Sequence, residues 1–214
     1  EGLYGINNIN RFLQESNPNK EISWGVQTFK VGDPILFHDT NRFSSIIYNN
    51  MKGRILNIST FLTESGNERI EFDIELDRNI NDKKLFPWEE PEILKPEIYS
   101  EVKNTVIRFS VYKNYNSDTD KLDFATIIPF QVSYAISIHK AQGLEYDSVK
   151  IVITNEIDEM ITHNIFYTAI TRTKSNLKIY WSPEVENKIL SHIKPINNDK
   201  DVHLLYEVKL NNLK

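Results

Sequence analysis

Hydrophobic and polar positions follow three rhythms along the chain. Over residues 3–17 the spacing predicts a short helix, with Ile6, Ile9, Phe12 and Leu13 on one face and Asn7 and Asn8 polar between them. Asn17-Pro18-Asn19 ends it, because proline disfavours helix for the residue before it. From Trp24 the period falls to two. Residues 26–31 alternate, Gly32-Asp33-Pro34 turns, and Ile35-Leu36-Phe37 restarts a strand. A turn at 49–53 leads into a strand at 54–58. After a second turn at 64–67 comes the cleanest alternation, with Ile70, Phe72, Ile74 and Leu76 facing one way and Glu71, Asp73 and Glu75 facing water. Short strands at this spacing predict a small antiparallel barrel. Residues 79–96 are charged and broken by proline, an excursion within that module, and strand character returns at 106–111.

The third rhythm begins at about Leu122. An apolar run at 124–132 leads into 135–142, read as the helical part of a strand-to-helix-to-strand junction. A buried-type strand (149–153), a helix (161–171), a strand (177–181) and a proline-started helix (183–193) follow. Strand, helix, strand, helix with apolar strands predicts part of a parallel α/β layer. The expected organisation is a discontinuous α/β domain from residues 1–24 and 122–196, interrupted by a β-rich module at 25–121. A tail at 197–214 carries one strand-like stretch at 202–208.

Composition narrows the classes. Hydrophobic residues make up 40% and charged residues 26% of the 214, and 11 Phe, 10 Tyr and 3 Trp are too many for a disordered chain. No apolar run approaches the ~20 residues that cross a bilayer, so no membrane is expected. The opening Glu1-Gly2-Leu3-Tyr4 has neither the features of a signal peptide nor an initiator Met, so a longer parent protein is expected. With no cysteine there is no disulfide, no zinc–thiolate site and no thiol nucleophile, and a cytoplasmic location is expected. A formal net charge of -5 argues against a free-standing polyanion binder, leaving room for a local basic stripe.

Two segments carry chemistry. The first, VSYAISIHKAQGLEYD at 132–147, gathers hydroxyl, imidazole, cation, amide, glycine and carboxylate where ligands of parallel sheets commonly sit. Ser137, His139 and Lys140 can donate to phosphate oxygens, gripping a strand without reading bases. Gly143 permits close backbone approach to a phosphate, and Glu145 can accept from ribose hydroxyls. Each also has a plainer account: His139 as a core histidine, Lys140 as a solvated charge, Gly143 as a helix stop. The second segment, THNIFYTAITRTK at 162–174, starts a helix at Thr162 as N-cap and lines one face with Ile165, Phe166, Ala169 and Ile170. Arg172 and Lys174 can simply offset the helix dipole. Alternatively, the planar guanidinium of Arg172 can stabilise a phosphoryl group in transfer.

Together the segments resemble a known set. SIHKAQGLE at 137–145 looks like motif V of superfamily 1 helicases, and FYTAITR at 166–172 looks like their motif VI, in the form of the RecD-like branch and its UvrD-like relatives. GINNINRFLQ at 5–14, followed by Asn17-Pro18, resembles that family's helix before its barrel insertion. FKVGDPI at 29–35 and YNNMKGRI at 48–55 resemble the barrel's opening strands. The likeness runs over most of the chain and is carried chiefly by 134–181. It departs in Ser137, where Thr is common, and in the turn at 49–53, which lacks the usual Asn-Gly-Asp.

The resemblance implies an α/β fold: the parallel sheet of a second RecA-like, P-loop NTPase-type domain (1–24 and 122–196) with an inserted antiparallel SH3-like β-barrel (25–121). It implies ATP contacts from Gln142, Gly143, Glu145 and Arg172, the last as an arginine finger, and strand contacts from Ser137, His139 and Lys140. It implies the C-terminal motor half of an ATP-dependent DNA helicase of repair and recombination, moving on single-stranded DNA. No G-x-x-x-x-G-K-[ST] loop occurs here, nor an Asp-Glu pair for Mg²⁺. Those are expected in a preceding RecA-like domain, the partner of this one, so ATP and Mg²⁺ are expected cofactors although this chain offers no metal ligands. The chain alone is expected not to hydrolyse ATP. The rival readings are a non-enzymatic helicase-like module that binds nucleic acid or protein, and an RNA helicase of the same superfamily.

Overall fold

The structure, a computed structural model, describes residues 5–43, 47–63, 66–80, 91–95, 97–113, 126–155 and 161–192. It divides into two compact units, Glu1–Lys140 and Ala141–Lys214.

The first unit opens with helix α1 (Ile6–Gln14) and a hairpin of β1 (Glu21–Trp24) and β2 (Gln27–Lys30). Its main element is a sheet of β3 (Pro34–Phe37), β4 (Lys52–Leu62), β5 (Glu68–Leu76), β6 (Glu92–Ile93), β7 (Val106–Tyr112) and β8 (Phe130–Val132). All its pairings are antiparallel, in the order β6-β7-β5-β4-β3-β8. Among the described residues β6 and β8 stand at the two ends unpaired with each other, so no closed barrel is formed among them.

The period-two pattern sets this register. Ile70, Phe72, Ile74 and Leu76 are all buried on one side of β5. Phe72 meets Phe29, Phe109 and Phe130 with ring centroids 5.4, 5.9 and 5.0 Å apart, two of these contacts edge-on as ring quadrupoles prefer. Gly53 in β4 sits where a Cβ would come within 2.8 Å of Ile74 Cγ2 and 3.0 Å of the Glu75 carbonyl. Only glycine lets β4 lie this close to β5.

Three expectations for this unit are corrected. The carboxylates of β5 do not simply face water. Asp73 is 1% exposed, and takes Arg108 Nε and Nη2 at 2.6 and 2.8 Å and the Tyr99 hydroxyl at 2.6 Å. Burial and that bond push the Tyr99 hydroxyl well above its usual range, and the bond to Asp73 raises Arg108, so Tyr99 stays a donor and Arg108 a cation. Glu71 and Glu75 are partly covered as well. On α1 Ile6, Ile9 and Leu13 are partly buried, but Phe12 is 71% exposed and the fully buried residues are the polar Asn10 and Gln14. Finally, β1 and β6 add strands that the sequence pattern did not reveal, β6 inside the charged excursion.

The second unit pairs β9 (Tyr146–Val152) with β10 (Thr173–Tyr180) in parallel, with α2 (His163–Ile170) between them in sequence and α3 (Pro183–His192) after them. This is the predicted strand–helix–strand–helix order. Thr162 caps α2 as expected, its Oγ1 accepting from Ile165 N at 3.3 Å. Ile151, Ile153, Ala169, Val185 and Ile189 are buried, and Phe166 stacks on Trp181 at 5.8 Å. The strand expected to be buried is only partly so, with Val152 45% exposed. Residues 138–143 form turns, not the expected helix. The tail strand expected at 202–208 lies outside the described residues.

Candidate nucleotide and strand-binding site

In the second unit the two chemical segments meet through Arg172. Thr171 ends α2, and Arg172 follows at the start of the return to β10. Its guanidinium donates from Nε to the Thr168 carbonyl at 2.9 Å, from Nη1 to the Leu144 carbonyl at 3.2 Å and from Nη2 to Thr171 Oγ1 at 3.1 Å. The Thr168 carbonyl is one of those a helix C-terminus leaves unsatisfied, which is why a cation belongs there. Below it, the Arg172 carbonyl accepts from Tyr146 N at 2.9 Å, fixing the start of β9 against the end of α2.

Leu144 lies between Gly143 and Glu145, so Arg172 stands next to both. Gly143 adopts φ +82, a left-handed conformation natural to glycine, and a Cβ there would meet nothing within 4 Å. The space over it is open. Glu145 is exposed and pairs with Lys174 Nζ at 3.3 Å, a solvated ion pair that contributes little to stability. Lys174 therefore joins the cluster, a partner the helix-dipole account did not foresee. Gln142 is exposed at the same turn. Gln142, Gly143, Glu145 and Arg172 thus lie on one contiguous stretch of this unit.

Ser137, His139 and Lys140 close the first unit. Ser137 and His139 are exposed, so His139 is not a core histidine. Ser137 Oγ accepts from Lys140 N at 3.4 Å, bracing the turn, and Lys140 Nζ donates to Gln131 Oε1 of β8 at 2.5 Å. Upstream, Tyr134 and Ala135 are held by side chains of α1 and of the turn before β3: Tyr134 by Asp33 and Ala135 by Asn10. The sequence marked Asp33 only as a turn residue and Asn10 only as part of a helix, since their partners lie about a hundred residues away. Among the described residues no three of His, Cys, Asp and Glu stand together to hold a metal ion, and no helix is long and apolar enough to cross a membrane.

Residues 132–180, which hold most of this geometry, match the family model of the UvrD-like helicase C-terminal domain. The chain is 24% identical over 189 residues to the RecBCD enzyme subunit RecD of Buchnera aphidicola subsp. Schizaphis graminum, a match covering 86% of the chain and 24% of that protein. The chain is thus similar to the C-terminal region of RecD/UvrD-like superfamily 1 helicases. A second RecD, from Buchnera aphidicola subsp. Acyrthosiphon pisum, is 26% identical over 84% of the chain and 23% of its own length. The RecD of Mycolicibacterium smegmatis is 34% identical over 26% of the chain and 10% of its own length. The chain spans about a quarter of the length of the Buchnera relatives it matches. Its mixed α/β fold, with one parallel strand pair and antiparallel sheets among the described residues, is in keeping with that family.

Proposed function

We propose that the protein carrying this chain is an ATP-dependent helicase that moves on single-stranded DNA, and that this region supplies the second half of its ATP site. The reading takes residues 1–24 and 122–196 as the second RecA-like domain and 25–121 as its SH3-like insertion. Gln142, Gly143 and Glu145 contact the nucleotide, Arg172 reaches the γ-phosphate, and Ser137, His139 and Lys140 hold the strand backbone. A preceding RecA-like domain provides the phosphate loop and the Mg²⁺ ligands.

The observation that carries this reading is the bond from Arg172 to the Leu144 carbonyl. It places a guanidinium, rich in donors and permanently charged, beside an open glycine and an exposed carboxylate. ATP is the substrate. When it binds, Mg²⁺ neutralises charge on the phosphates, and this chain's part is to orient the ribose through Glu145 and stabilise the transferring group through Arg172. To act so, Arg172 exchanges intrachain carbonyls for phosphate oxygens, a trade favoured because charge-assisted bonds to an anion are the stronger ones. Likewise the exposed Glu145–Lys174 pair gives way to a ribose hydroxyl at small cost.

The same geometry favours one other reading. All the nitrogens of Arg172 have acceptors within this chain, as a purely structural cap would, and a non-enzymatic helicase-like module would need no more. Arg172→Ala in the full-length protein separates the two. The helicase reading expects DNA-stimulated turnover to fall by about 10³-fold or more, with strand binding largely kept. Arg172→Lys does not restore turnover, because an ammonium lacks the planar fork. Normal turnover in Arg172→Ala removes Arg172 from the site and leaves it a cap.

A further inference from the structure

The first unit contains a buried polar network whose geometry exceeds what holding a helix requires. Asp33, fully buried, accepts four bonds. Its Oδ1 takes Asn17 Nδ2 and the Tyr134 hydroxyl, both at 2.8 Å, and its Oδ2 takes Gln14 Nε2 at 2.5 Å and Lys30 N at 2.8 Å. Asn17 Nδ2 also stands 3.4 Å from the Tyr134 oxygen. Lys30 Nζ turns away to the Gln14 and Asn17 carbonyls at 3.2 and 2.9 Å. Asp33 is therefore solvated by neutral donors, a geometry that fixes directions more than it adds stability.

One turn along α1 from Gln14, Asn10 does something more specific. Its Nδ2 donates to the Ala135 carbonyl and its Oδ1 accepts from Ala135 N, both at 2.8 Å. A third bond, from Nδ2 to the Ile6 carbonyl at 3.1 Å, locks the amide to its own helix. This pair of bonds imitates an adjacent strand and fixes both peptide groups flanking Ala135. Tyr134 and Ala135 are thus clamped by two different elements. Two residues later come Ser137 and then His139, both exposed. Burial, then the bond to Asp33, pushes the Tyr134 hydroxyl up to about 12, so it remains protonated and a donor at neutral pH.

We propose that Asn10 and Asp33 are positioning residues for strand binding: by fixing Ala135 and Tyr134 they set the path on which residues 136–140 leave β8 and so aim Ser137 and His139. The inference rests on the reading above in which Ser137 and His139 grip the strand. An apolar contact would hold α1 equally well. Buried amides set among the partly buried Ile6, Ile9 and Leu13, with Phe12 of the same helix left in water, specify an orientation.

The test uses the full-length protein and an oligothymidylate strand. Its readout is the strand concentration that half-maximally stimulates ATPase activity, read beside KM for ATP. Asn10→Ala raises that concentration by about tenfold, as expected when paired hydrogen bonds to one residue are lost, while KM for ATP moves far less. A double-mutant cycle adds a readout that a merely structural role would not move. In a Ser137→Ala, His139→Ala background, Asn10→Ala adds little, because its effect runs through those side chains. Tyr134→Phe, which removes a single oxygen, carries the same test with a smaller shift should Asn10→Ala not fold. Fully additive effects, or unchanged strand affinity in folded Asn10→Ala and Tyr134→Phe, overturn the clamp alone. Unchanged affinity in Ser137→Ala, His139→Ala overturns the grip, and the clamp with it.

Discussion

Phe72 and Leu177 mark the difference between the two units. Phe72, in the antiparallel sheet, is fully buried and touches three other phenylalanine rings. Leu177, in the parallel pair, is 44% exposed, and Tyr180 and Val152 on the same two strands are exposed to a similar degree. Parallel strands normally have both faces covered, whereas among the described residues β9 and β10 leave Val152, Leu177 and Tyr180 exposed. The first unit builds its rigidity from aromatic packing and from closed polar clusters at Asp33 and Asp73. The second unit holds the candidate nucleotide residues Gly143, Glu145 and Arg172 in the connections beside a two-stranded parallel pair. Stability and chemistry are therefore distributed unequally, and a substitution should be felt differently in each.

The largest test of that contrast is a matched pair in this 214-residue chain, unfolded in urea. Phe72→Ala is expected to destabilise the first unit by about 3–5 kcal/mol, the range for emptying an aromatic site in a packed core. Leu177→Ala is expected to change the second unit by less than ~1 kcal/mol, as exposed positions do. Trp24 packs on the first core and Trp181 on Phe166, so single-tryptophan variants report each unit separately. Equal losses would erase the contrast. A smaller effect sharpens it: Gly53→Ala should cost about 1–3 kcal/mol by overpacking β4 against Ile74 and the Glu75 backbone. A neutral Gly53→Ala, read from the same urea midpoints, would mean the sheet yields there and is softer than its packing implies.

The second unit was the more legible in the sequence. Thr162, the apolar stripe of α2 and the apolar strands around it are local signals, and local signals suffice for a parallel strand–helix–strand order. What escaped was non-local. Asn10 and Gln14 look like solvent-facing residues of α1 until Ala135, Thr28 and Asp33 are brought to them. Asp73 reads as the water side of an alternating strand until Arg108 and Tyr99 arrive from 35 and 26 residues away. The segment at 135–142 stands where a strand-to-helix-to-strand junction is expected, whereas residues 138–143 form turns and Gly143, in a left-handed conformation, leads into β9. The site residues were legible as types. Their arrangement was not, because the Leu144 carbonyl that holds Arg172 carries no mark in the sequence.

The central claim, that Arg172 leaves its intrachain acceptors to serve a nucleotide, is tested most directly by a structure of the full-length protein with ADP, aluminium fluoride, Mg²⁺ and single-stranded DNA. The account predicts the Arg172 guanidinium on the fluoride, its bonds to the Leu144 and Thr168 carbonyls exchanged, and Glu145 turned from Lys174 to the ribose. A fluoride contacted by other residues, with Arg172 still on Leu144 and Thr168, would contradict it.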